Sequence, residues 1–281
     1  MSKWDLASLD RNTAQMIGRP LQEAMAHGIN NNIIHGGLVT GQTAIQSVYA
    51  QSATKNCTLG TKLREVDTGR EFCYSRAGGV ALARGYMTES AVAVANYDNE
   101  VQTAYGWAVG ATSGYVLITT GATPAADYFA DGWLCVQDGT GEAQAYPILS
   151  NTSHATILYI TLKPGHSVVT AWPAESELTL LKNPFDSTIV APVTTLTACP
   201  AGVPIVPVTE CYYYWSQVKG PCPMFVDTGD TITIGEPVGA AGTNAVAGAV
   251  GVATTIEGRY GRAMSIAAQG ECAMINLDLG L

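Results

Sequence analysis

Hydrophobic and polar residues alternate in short runs through most of this chain, and Gly and Pro break the runs too often for long helices. The clearest pair is 132–138 and 143–149, joined by Gly139-Thr140-Gly141-Glu142. Trp133 and Cys135 with Gln137, and Gln144 with Tyr146, give the inside/outside alternation of a half-buried hairpin. A second hairpin is expected from 61–66 and 71–75 around the turn Asp67-Thr68-Gly69-Arg70. Further strands are expected at 101–109, 115–119, 156–162, 177–181, 211–218, 224–226, 231–234, 262–267 and 272–279. Residues 77–83 read as a strand or a short helix. Pro192, Pro200, Pro204 and Pro207 suit an edge or crossover segment. No fixed-period repeat stands out.

The front of the chain differs. Residues 1–54 are rich in Asn, Gln, Ser and Ala, and only 13–27 has a helical pattern, with Asn12 as N-cap and Gly28 as stop. Gly18 and Pro20 interrupt it. The expected organisation is an extended, partly helical N-terminal arm (1–54) and a β-rich domain (55–200). A C-terminal β segment (201–281) packs with that domain. The fold class is all-β, as a sandwich or barrel-like body.

Composition narrows the function. Charged residues are 13% of the chain against 47% apolar, where an average globular protein has roughly 25% charged. So few charges favour a subunit whose surface is covered in an assembly. The net charge is −9, and no Lys/Arg cluster is present to displace counterions from phosphates, so nucleic acid is not an expected partner. No apolar h-region follows Met1, so a signal peptide is not expected. The uncharged run 237–256 contains Gly239, Gly242, Asn244, Gly248 and Gly251, and reads as strands and turns rather than a membrane span. The seven cysteines are scattered, without C-x-x-C, as expected of reduced thiols.

Motifs that carry chemistry are sparse in this chain. Asp-Thr-Gly occurs at 67–69 and at 227–229, as in two-lobed aspartic proteases, where paired carboxylates share a proton. Here Arg70 and Asp230 follow the triplets, where a buried loop needs a small residue. Asp127, Asp131, Asp138 and Glu142 crowd around Trp133, but their spacing is not that of a calcium loop. His27, His35, His154 and His166 lack partners at metal-ligand spacing, and no G-x-S-x-G, P-loop or H-E-x-x-H occurs. No catalytic residue, cofactor or metal is expected. Tyr212, Tyr213, Tyr214 and Trp215 are the candidate interface. In a strand Tyr212 and Tyr214 share one face and Tyr213 and Trp215 the other, so one side is expected against the core and one against a neighbouring subunit.

Four stretches carry a resemblance. They are Leu59-Gly60-Thr61-Lys62-Leu63 with Gly69-Arg70-Glu71-Phe72 and Ala77-Gly78-Gly79; Asp131-Gly132-Trp133-Leu134 with Asp138-Gly139-Thr140-Gly141-Glu142 and Tyr146-Pro147-Ile148; Tyr213-Tyr214-Trp215-Ser216-Gln217 with Lys219-Gly220-Pro221; and Gly261-Arg262-Ala263 with Gly270-Glu271-Cys272-Ala273. In this order they resemble the head decoration (cement) proteins of tailed bacteriophages. The resemblance implies a non-enzymatic virion protein, made in the host cytoplasm. It would bind the major capsid protein on the outer surface of the head, as a homotrimer, with no membrane or nucleic-acid partner. A receptor- or glycan-binding fibre or spike protein, or another virion subunit (major capsid or tail tube), is the alternative. The long repetitive shaft of the first and the long charged helix of a major capsid protein are not found.

Overall fold

A computed structural model describes residues 46–281, except 120, 122, 194–195, 241–245 and 254–257. The expected helix at 13–27 lies outside the described residues. Sixteen strands are present among them, 42% of the described residues are in β-structure, and two curled antiparallel sheets form half-barrels.

The six-stranded sheet contains β4 (Glu100–Val101), β9 (Glu177–Leu181), β6 (Trp133–Asp138), β7 (Ala145–Asn151), β8 (Ile157–Leu162) and β5 (Ser113–Leu117), in that spatial order. Alternate residues of these strands close one core, including Leu134, Val136, Ile148, Leu158, Ile160 and Leu178. The free edge of β5 is sealed by side chains. Gln102 Oε1 accepts from Leu117 N–H at 2.8 Å, and Trp107 Nε1 donates to the Tyr115 carbonyl at 2.9 Å. Such sealing removes the unpaired edge that would otherwise invite another strand. Gly114 is required there, because a Cβ would lie 2.5 Å from the Trp107 ring.

The ten-stranded sheet runs β10 (Ile189–Val190), β3 (Thr88–Glu89), β11 (Pro200–Pro204), β12 (Tyr213–Phe225), β16 (Cys272–Asp278), β15 (Arg259–Ala263), β13 (Pro237–Ala240), β14 (Val250–Val252). The hairpin β1 (Lys62–Glu65) and β2 (Arg70–Arg76) joins it through β2, which pairs with β12. The chain on either side of the expected boundary at 200/201 meets in this sheet. β12 hydrogen-bonds to both β2 and β16, so the chain on either side of that boundary builds one sheet, and residues 100–181 form the inserted body. Contacts also cross the expected arm boundary at 54/55. Val48 is buried, Ser52 bridges to Tyr213, and Trp215 Nε1 donates to the Gln46 carbonyl at 3.0 Å.

One construction occurs three times among the described residues. Leu82 and Val208 exchange two backbone hydrogen bonds, as do Trp107 and Trp172, and Ile232 and Ala267. Three residues after the first member of each pair, Gly85, Gly110 and Gly235 take positive φ and donate to Pro204, Val168 and Ala263, each four residues before the second member. A strand then leaves each arm: β3, β5 and β13 from the first, β12, β9 and β16 from the second. The second arms place Cys211, Glu175 and Gly270 at the matching positive-φ position. These are three copies of a clip made from two left-handed turns.

Candidate interaction surface

The aromatic strand is covered on both faces by its own chain. Tyr214 and Trp215 are 0% exposed, whereas Tyr212 and Tyr213 are half-buried. Trp215 packs with Val48, Leu59, Leu63 and Phe72, and meets Tyr74 edge-on at 5.0 Å. On the opposite face Tyr214 packs with Ala77, Leu82 and Val208, and its hydroxyl lies 3.0 Å from Thr188 Oγ1. The predicted alternation of faces is present. The second cover, however, comes from residues 46–63 and the first clip rather than from a neighbour. Tyr214 and Trp215 have no surface to offer in the folded chain.

The uncovered apolar surface lies on the outer face of the six-stranded sheet. Trp133 stands opposite both Leu181 and Pro147, and Tyr115 stands opposite Tyr159. Trp133 is 44% exposed, Leu181 46%, Leu149 47% and Tyr115 51%. Tyr105, Tyr115 and Tyr159 form a row, with ring centroids 5.4 and 5.1 Å apart. The signal for this face was in the sequence: β8 is apolar on both sides, unlike a strand with one solvated face.

At one end of the face a pocket of about 420 Å³ opens between the two sheets, lined by Val92, Val94, Tyr97, Trp133, Leu181 and Pro184 among others. Nearby, Asp131 binds Lys55 at 2.5 Å and Lys163 at 2.8 Å. Burial alone would raise the Asp131 pKa, but the hydrogen bonds and charges of the two lysines outweigh it and hold the carboxyl below its ordinary value.

The remaining polar candidates do not converge. The Asp67 turn is exposed and its end lies against Gly220 on β12; Asp227 follows the far end of that strand. Seven residues of extended chain separate Gly220 from Asp227, roughly 20 Å, so the two triplets form no dyad. Asp227 accepts instead from Gly229 N–H at 3.0 Å and Val246 N–H at 2.8 Å, which fixes a turn. Asp131 precedes β6 and Asp138 ends it, so the acidic residues around Trp133 are divided between two ends of a strand. His154 Nδ1 accepts from Ile157 N–H at 3.1 Å in a turn; His27 and His35 lie outside the described residues. Among the described residues no group of His, Cys, Asp or Glu is arranged to hold a metal, and no helix is long and apolar enough to cross a membrane.

The seven cysteines form no disulfide. Burial pushes the thiols of Cys73 and Cys222 up to about 12, so neither is a thiolate at neutral pH. Cys199, Cys211 and Cys272 are exposed. A disulfide-exchange reagent should therefore label these three in the native protein, and Cys57, Cys73 and Cys222 only after denaturation. Fast native labelling of the buried set would contradict this packing.

No family model, no curated protein and no solved structure matches the chain.

Proposed function

We propose that the protein is a structural virion subunit that binds the outer surface of a phage head, as a homotrimer on the major capsid protein. The supporting observation is the uncovered outer face of the six-stranded sheet. Exposed Trp133, Leu181, Leu149, Tyr115 and Tyr159 share a face with few charges. Large apolar side chains left uncovered on one sheet face mark a contact surface rather than a solvated one. The net charge of −9 suits the outside of a head, away from packaged DNA.

Co-sedimentation with empty heads tests the reading. A central Trp or Tyr of an interface often contributes 2 kcal/mol or more, so Trp133→Asp and Tyr159→Asp should each weaken head binding by about 30-fold or more. Both side chains point outward, so the circular dichroism should stay that of the parent. Binding equal to the parent in both variants would overturn the assignment of this face.

One observation favours a second reading, glycan recognition: the row Tyr105, Tyr115, Tyr159, with Ser113 Oγ 2.8 Å from the Tyr159 hydroxyl. Aromatic faces beside hydroxyls suit sugar rings. Saturable oligosaccharide binding, lost in Tyr115→Ala, would favour it over the head-binding reading.

A further inference from the structure

The four methionines among the described residues divide into two kinds. Met87 and Met224 are 1% and 0% exposed and fill the core, whereas Met264 is 49% and Met274 39% exposed. The ten-stranded sheet sets the exposed pair side by side. Met264 directly follows β15, and its N–H donates to the Met274 carbonyl on β16 at 2.7 Å. Ala263 stands opposite Ile275, so the same register puts Met264 opposite Met274. β16 alternates exposed and buried residues along its whole length, with Cys272, Met274 and Asn276 on the outward side. Cys272 therefore shares a face with Met274, two residues away, and lies diagonal to Met264.

These spacings bring three sulfur atoms within reach of one point. Directly opposed residues hold their Cβ atoms about 5 Å apart, and diagonal neighbours at about 7–8 Å remain within reach of long side chains. Two residues along a strand are about 7 Å apart. Methionine has three rotatable bonds with which to bring its sulfur across such a gap. Phe225, opposite Cys272 and stacked on Tyr86 at 4.8 Å, borders the patch on one side. The Glu271 carboxylate is engaged elsewhere, accepting from Ala268 N–H at 3.1 Å. Burial raises the Cys272 pKa above that of an ordinary thiol, against the opposing pull of Arg84. The thiol is thus protonated at neutral pH, and a metal must displace its proton.

We infer that Cys272, Met264 and Met274 form a three-sulfur site for Cu(I). Thiolate and thioether donors select this soft cation. Calcium and magnesium require oxygen ligands, and zinc sites draw on Cys, His and carboxylate rather than Met. Binding breaks the Cys272 S–H bond, passes the proton to water, and forms one copper–thiolate and two copper–thioether bonds. Copper stays Cu(I), so no oxidant or reductant takes part. The thiolate cancels the charge of the ion, so Arg84 faces no net cation. This site stands apart from the outer face of the six-stranded sheet and from any head-binding role.

The test uses the full-length chain carrying Cys199→Ser and Cys211→Ser, which removes the other exposed thiols. Cu(I) is titrated without oxygen against bicinchoninate as a competing chelator. One Cu(I) per chain should bind, with an all-sulfur first shell by X-ray absorption. Cys272→Ser should abolish binding. Met264→Leu and Met274→Leu nearly conserve volume and keep the fold, and each should weaken binding on the order of tenfold or more, at least the loss that follows removal of an outer-shell partner. Circular dichroism of all three variants should match that of the parent, since the three side chains face water. A parent that takes up no Cu(I), a Cys272→Ser variant that still binds it, or either methionine variant equal to the parent would overturn the inference.

Discussion

Trp215→Ala should lower folding stability by about 3–5 kcal/mol, and Tyr212→Ala by less than about 1 kcal/mol, read from urea midpoints at one fixed protein concentration. The contrast follows from burial of neighbours in a single strand. Trp215 is wholly enclosed, meets Tyr74 edge-on and donates to the Gln46 carbonyl at 3.0 Å. Truncation removes the ring, leaves a void, and takes from Gln46 a partner that water cannot easily replace. The void cannot collapse readily, because β12 is held by β2 on one side and β11 on the other. Tyr212 is half-buried at the rim of its cluster. If Trp215→Ala left the urea midpoint unchanged but dissociated an oligomer, the residue would belong to an interface and the packing described above would be wrong.

The strands that could be read from sequence are those whose alternation matches one buried face. β9 lies where it was expected, and β1, β2, β6, β7, β8 and β16 fall within a few residues of expectation. Longer-range features were hidden. Strands were expected at 211–218 and 224–226, yet β12 runs unbroken from Tyr213 to Phe225, through Pro221 and Pro223. The reason is directional. Phe225 N–H donates to Gly85, away from β16, so residues 221 and 223 of the same parity also face away from β16 and lose no ladder bond. Residues 101–109 and 231–234 were expected as strands, but only Val101 and the bridge residues Trp107 and Ile232 pair in this way; the rest builds clips. The clips escape sequence reading because each rests on a single bridge residue. The lengths of chain between their arms are unequal, and Gly, Glu or Cys serves at the left-handed position. At the candidate site, the aromatic run at Tyr212 to Trp215 drew notice because its residues are adjacent. The exposed face draws Trp133, Tyr159 and Leu181 from different strands, and only sheet order brings them together.

Asp186→Asn should cost about 2–4 kcal/mol at neutral pH. Its carboxylate, 8% exposed, pairs with Arg76 Nε at 2.9 Å and Lys182 Nζ at 3.1 Å. Neutralising it leaves two cations facing each other with no counter-charge. The lower part of the range is set by Arg76, which keeps 34% of its side chain in water. Lys182, at 15%, bears most of the loss, with only the Tyr128 ring at 4.4 Å and Ser187 Oγ at 2.8 Å remaining. The pH dependence separates this from simple loss of packing. Burial already depresses the Lys182 pKa, against the opposing pull of Asp186, and removing Asp186 should depress it further. Where the unfolded chain binds more protons than the folded one, stability rises with pH. The deficit of Asp186→Asn should therefore shrink as pH climbs toward about 10, the ordinary range of a lysine, while Arg76 stays charged throughout. Adding Lys182→Met to Asp186→Asn should recover part of the loss at neutral pH and abolish the recovery with rising pH. A deficit that is constant from neutral to alkaline pH, or a double variant as weak as Asp186→Asn alone, would show that Lys182 is not the charge left uncompensated.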